Sequence, residues 1–151
     1  MKTNKMNKVL IALDFDPTAQ KIAEVGFTLA QTLGAEVILL HVIVDLVTYS
    51  LTYLNMGPLQ LDSVDELKQA SQNFLEKVKR HLGDDTILTV IKEGEFAEII
   101  LETATELDAD IIVMGSHSTK WLENIVMGSV TADVLKKTTI PMFIIPTKKR
   151  N

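Results

Sequence analysis

The chain has 151 residues, 46% of them hydrophobic and 23% charged, the make-up of an ordinary globular domain built on one core. It has no cysteine, which excludes disulfide staples and thiolate chemistry and fits a reducing compartment. With 15 basic and 20 acidic side chains the net charge is −5, a poor balance for binding nucleic acid or an anionic membrane.

Lys2, Lys5 and Lys8 precede an apolar run, as in a signal peptide. That run covers only residues 9–13 and stops at Asp14, whereas a secretory core needs about 7–15 apolar residues. No apolar stretch approaches the roughly 20 residues of a spanning helix. A cytoplasmic protein without membrane insertion is expected.

Residues 9–13 (VLIAL) instead read as a strand covered on both faces. Pro17 suits the first turn of a helix. Ala19, Ile22, Ala23, Gly26, Ala30 and Leu33 then recur at helical spacing, with Gly34 as the stop. Residues 37–44 are a second strand. Val64, Leu67, Ser71, Phe74, Leu75, Val78 and Leu82 mark an amphipathic helix closed by Gly83. Residues 87–91 are a third strand, broken by Thr89 and so less buried. Ala97, Ile100, Leu101, Ala104 and Leu107 mark a third helix, and residues 111–114 a fourth strand. Val130, Val134 and Leu135 belong to a helix starting near Gly128. Met142–Ile145, between Pro141 and Pro146, is the fifth strand.

Strict alternation of apolar strands and helices argues for an α/β fold with a parallel sheet covered on both faces, a three-layer sandwich. No boundary divides the chain, so residues 1–151 are expected to form one domain. The irregular part is 46–62. Tyr49, Leu51, Tyr53, Leu54, Met56 and Leu59 make it too apolar for a solvated linker. It either packs over its own domain as a lid or serves as an interface.

In such sheets ligands bind beyond the carboxyl ends of the strands, where strand order reverses. The first β-α turn, Leu13 to Thr18, has no glycine and is neither a dinucleotide fingerprint nor a P-loop. The glycines follow the fourth strand. Gly115 lets backbone approach a ligand. Gly128-Ser129 opens a helix whose free N–H groups and dipole attract an anion. Ser129 either caps that helix or donates to a phosphate. A helix cap with a tight turn accounts equally for the spacing.

At these residues the chain resembles the universal stress protein family over nearly its whole length. The matching pieces are VLIALD at 9–14, LHV at 40–42, Gly94 with Ala97, Ile100 and Ala104, DIIVMGSH at 110–117, GSV at 128–130 and IPMFIIP at 140–146. The resemblance implies a five-stranded sheet of order 3-2-1-4-5, the adenine nucleotide alpha-hydrolase-like fold, and a homodimer. In the nucleotide-binding branch it implies ATP held by G-x2-G-x9-G-[S/T], with ADP or AMP as related ligands and Mg2+ as a possible companion. Gly115 matches the first motif glycine, Gly128 and Ser129 the last pair, and Val130 a following backbone donor. Ser118 stands where the family has its middle glycine, and its hydroxyl can itself donate to phosphate. Asp14 matches an aspartate near the nucleoside, and Val42 the position whose backbone meets adenine. Asp16 occupies a place where the family often has a small polar residue. It either repels phosphates, helps hold a divalent ion, or complements the dipole of the following helix.

Of the three histidines, His41 reads as a strand-end or core residue. His81 sits near a helix end where the dipole favours it. His117 faces the expected cleft, either touching phosphate or filling the loop. No H-x3-H or H-E-x2-H pair and no G-x-S-x-G elbow occurs, which speaks against zinc and serine-hydrolase chemistry. Lys120 either reaches a phosphate or sits exposed. Trp121 reads as a packing or interface anchor.

In the implied order, strands three and five are edges. Strand five, Met142–Ile145, is wholly apolar, and pairing with its own copy across a two-fold axis would cover it. The expected function is a dimeric, ATP-binding stress-response or regulatory protein acting as a nucleotide-dependent signalling module, with at most weak ATP hydrolysis. The alternative is a dimeric adaptor of the same fold that no longer binds nucleotide.

Overall fold

The computed structural model describes residues 5–44, 61–116 and 129–147; side chains in the helices beginning at 61 and 129 are described from Asp65 and Val130 onward. Along them run β1 (Lys8–Ala12), α1 (Ala19–Leu33), β2 (Glu36–Ile43), α2 (Leu61–Leu82), β3 (Leu88–Glu93), α3 (Phe96–Glu106), β4 (Ile111–Gly115), α4 (Ser129–Lys137) and β5 (Met142–Ile145). The strands pair in parallel in the order β3-β2-β1-β4-β5. This is the sheet the resemblance implied.

The continuous apolar runs become the central strands because both of their faces are covered. On one face Val9, Ile11, Leu39 and Val113 meet Ile22, Ala23 and Ala30 of α1 and Leu75 of α2. On the other, Leu10, Leu40, Ile112 and Met114 meet Ala97, Ile100 and Ala104 of α3 and Val134 of α4. Two cores back to back make the three layers. Gly34 ends α1 in a left-handed conformation, φ 65°, its N–H reaching the carbonyls of Ala30 and Gln31, as a helix-stopping glycine should.

β1 and β2 each lie one residue earlier than the sequence reading and β4 runs one residue further, to Gly115; three other boundaries also depart from it. β3 begins one residue later and runs two further, through Lys92 and Glu93. Pairing with Val42 and Ile43 carries it, and backbone bonding at an edge is indifferent to polar side chains. α2 starts at Leu61, so the last two residues of the expected 46–62 segment are helical; 45–60 lie outside the described residues. Pro17 precedes α1 rather than entering it. Asp16 forms the turn there, accepting from the Thr18 N–H at 2.7 Å and from the Thr18 hydroxyl, an Asx turn that substitutes for a side-chain cap at Thr18.

Two polar contacts tie distant segments together. The Asp110 carboxylate accepts from the N–H groups of Asn7 at 2.7 Å and Lys8 at 3.0 Å, fixing the start of β1 beside that of β4. His81 reaches from the last turn of α2 to Glu24 of α1, Nε2 to Oε1 2.7 Å. The histidine, followed by Gln20, holds the Glu24 carboxyl below its usual range.

Candidate functional site

Strand order reverses at β1: the chain goes from β1 to β2 on one side and returns later to β4 on the other. The crevice this opens lies beyond the carboxyl ends of β1 and β4. Asp14, Val42, Gly115 and Val130, far apart in sequence, line one cleft there.

β1 feeds the cleft through Leu13, whose N–H still bonds the Leu40 carbonyl at 2.9 Å. The Leu13 carbonyl is met by Nδ1 of His41 at 2.8 Å. A carbonyl only accepts, so Nδ1 carries the hydrogen. His41 is buried and stands edge-on to Phe74, ring centroids 5.7 Å apart. It is the satisfied strand histidine read from the sequence, and it anchors the backbone from which Asp14 projects. Phe15 next to Asp14 is 65% exposed and lies 4.7 Å from the Phe74 ring.

Asp14 is the most perturbed acid among the described residues. Burial first, and the neighbouring Asp16 charge second, push its carboxyl up to about 7 from an ordinary 3.8. Desolvation disfavours the charged form and a like charge adds to it. A neutral carboxyl both donates and accepts hydrogen bonds, which suits a neutral hydroxylated group better than a phosphate.

The opposite wall is built from backbone and small polar groups. Gly115 ends β4. The structure supplies a packing reason for glycine there: a Cβ would fall 2.5 Å from Cδ1 of Ile22 and 3.0 Å from Cγ2 of Thr147. Ser116 continues the strand's pairing, its N–H bonding the Ile145 carbonyl at 2.8 Å, while its Oγ accepts from the Thr147 N–H at 3.0 Å. Ser129 begins α4, so the start of this helix, where N–H groups have no partner within the helix itself, meets the cleft at Val130. Leu40, Val42, Ile100 and Met114 supply an apolar wall, with Phe96 beside them.

His117, Ser118 and Gly128, together with Lys120 and Trp121, lie outside the described residues. Sequence reasoning did not single out Thr131, buried and bonded to the Gly115 carbonyl. It also missed Glu95, whose side chain caps α3 through the N–H groups of Ala97 and Glu98. A glutamate three residues before Glu98, ahead of an apolar helical run, was the available signal for Glu95. For Thr131 the only signal was a hydroxyl in a first helical turn. Among the described residues no three metal-ligating side chains cluster.

The model of the Universal stress protein family matches residues 5–146. Universal stress protein MJ0577 of Methanocaldococcus jannaschii is 35% identical, over 93% of this chain and 95% of the relative. The solved structure of MJ0577 superposes with a TM-score of 0.76 at 28% identity, covering 97% of this chain and all, 100%, of that one. Universal stress protein YxiE of Bacillus subtilis is 31% identical, over 92% of this chain and 98% of the relative. A solved universal stress protein from Archaeoglobus fulgidus, in complex with dAMP, shares the fold at a TM-score of 0.65 and 21% identity, covering 94% of this chain and 99% of that one. With the family model spanning every strand and helix described above, this chain belongs to the universal stress protein family.

Proposed function

We propose that this chain is a cytoplasmic, dimeric stress-response or regulatory protein that binds an adenine nucleotide, ATP or its ADP and AMP relatives, as a signal. The observation that carries the reading is the meeting of Asp14, Val42, Gly115 and Val130 at one cleft on the switch point of the sheet. The apolar wall of Leu40, Val42, Ile100 and Met114 suits a planar base. Asp14 suits the ribose hydroxyls. Gly115 and the start of α4 suit the phosphates, with His117, Ser118, Gly128 and Ser129 joining them from the glycine motif. Mg2+ bound with the phosphates would offset the Asp16 charge beside them. The Archaeoglobus protein with dAMP is similar in fold alone, so the support comes from this chain's own residues.

Among the described residues no helix is long and apolar enough to cross a membrane. Dimerisation is assigned to β5, the edge strand, where Phe143 remains 39% exposed and pairing with a second copy would cover it. The chain acts as a binding module, with hydrolysis weak at most.

The second reading is a dimeric adaptor of the same fold that has lost the nucleotide. Two carboxylates at an anion cleft, and Ser118 for a glycine, are the observations that favour it. Releasing small molecules by denaturing freshly purified protein separates the two. Adenine nucleotide near one per chain, and a melting shift with millimolar ATP, are expected. Protein free of nucleotide and unmoved by ATP sinks the first reading. Gly128→Asp should abolish the ATP-induced shift while the apo protein still melts cooperatively.

A further inference from the structure

Thr131 stands in the first turn of α4 and is fully buried. Its hydroxyl donates to the carbonyl of Gly115, 2.9 Å away across 16 positions of sequence. A helical threonine usually bonds back to the preceding turn of its own helix. Thr131 is the third residue of α4, and its hydroxyl crosses to the end of β4 instead. The acceptor is itself held, because Gly115 lies tight against Ile22 and Thr147. The bond therefore ties the first turn of the helix to the held end of the strand.

We propose that Thr131 is a positioning residue for phosphate recognition: its hydroxyl locks the first turn of α4 onto Gly115, so that the N–H groups of that turn are aimed into the cleft at the phosphates of an adenine nucleotide. The inference rests on the nucleotide reading above and extends it to a residue that touches no phosphate through its own side chain. The physical need is geometric. N–H···O bonds weaken outside about 2.7–3.2 Å, and the dipole of a helix falls off within its first turn. A turn free to shift by an ångström would lose both. Threonine supplies what valine of nearly the same shape cannot, a donor to a buried carbonyl.

The test is calorimetric titration of the full chain with ATP and, separately, with adenosine. Thr131→Val should remain folded and bind ATP about tenfold more weakly, with adenosine affinity changed less than about twofold. Thr131→Ser, which keeps the hydroxyl, should return ATP affinity to within about threefold of wild type. Equal losses for ATP and adenosine would mean a merely structural role and overturn the proposal, as would full-strength ATP binding by Thr131→Val. Should the valine variant not fold, the amide resonance of Val130 in wild-type protein decides: it must shift on saturation with ATP and not with adenosine, and the reverse result overturns the proposal. Wild-type protein that binds no adenine nucleotide overturns the nucleotide reading and this role together, whereas binding by wild type with no dependence on the Thr131 hydroxyl overturns this role alone.

Discussion

On one wall of the cleft, Asp14 and Asp16 bring two carboxylates to the end of β1. On the other, Gly115, Val130 and Thr131 bring a strand end, the start of a helix and a buried hydroxyl, with no formal charge among them. The first wall depends on side-chain ionisation and so on pH. The second depends on where backbone dipoles point, which pH does not alter. On the proposed reading, an acidic domain thus presents an attractive surface to an anion on one side while the other responds to a proton.

The largest effect should come from removing the ionisable half. Because the Asp14 carboxyl is raised to about 7 in the fold, the native state binds its proton more tightly than the unfolded chain does. That contribution is fully present below pH 4 and is lost as pH climbs through about 7. The loss amounts to at most about 4 kcal/mol. Asp14→Asn should therefore raise stability in urea at pH 8 and change it little at pH 4.5. A variant equally destabilised at both pH values would mean that the acid is not strained by burial.

The next effect belongs to the backbone wall. Gly115→Ala places a methyl against Ile22, and the forced rearrangement should cost about 1–3 kcal/mol at every pH. Urea midpoints at pH 4.5 and pH 8 that move in parallel would confirm the contrast with Asp14; a pH-dependent cost would break it. The smallest effect is expected from Asp16→Asn. The amide oxygen still accepts from the Thr18 N–H, so stability should change by less than about 1 kcal/mol. The Asp14 titration, followed by carboxyl NMR, should nevertheless move down, by less than burial raises it, because burial is the larger cause. An unmoved titration would show that the two acids do not sense one another.

How much of this was legible beforehand varied with range in sequence. The apolar runs of β1, β2 and β4, the α1 period and its Gly34 stop are local patterns, and each lies within one residue of where the pattern put it. Alternation gave a parallel sheet, but the order 3-2-1-4-5 came from the family resemblance. What escaped was long-range or backbone-driven. Lys92 and Glu93 do not look like strand residues, and only their pairing with β2 makes them so. α3 ends with Asp108 in a left-handed conformation, φ 56°, where a glycine would have announced the stop. The site followed the same rule. Asp14 and Asp16 are visibly neighbours, but the burial that dominates the Asp14 shift exists only after folding. The hydroxyl of Thr131 reaching Gly115 has no local signature at all.

The pairing of β1 with β4, pinned by Asp110 on the amides of Asn7 and Lys8, also has a consequence for how the molecule is made. During synthesis β1 can join β2 early, since α1 alone separates them. Its other neighbour leaves the ribosome about a hundred residues later. Until then the central strand has one open flank and one wall of the cleft does not exist. On the proposed reading, a nascent chain therefore could not hold the nucleotide while it is being translated, and the nucleotide would act as a check on finished molecules rather than as a template for unfinished ones.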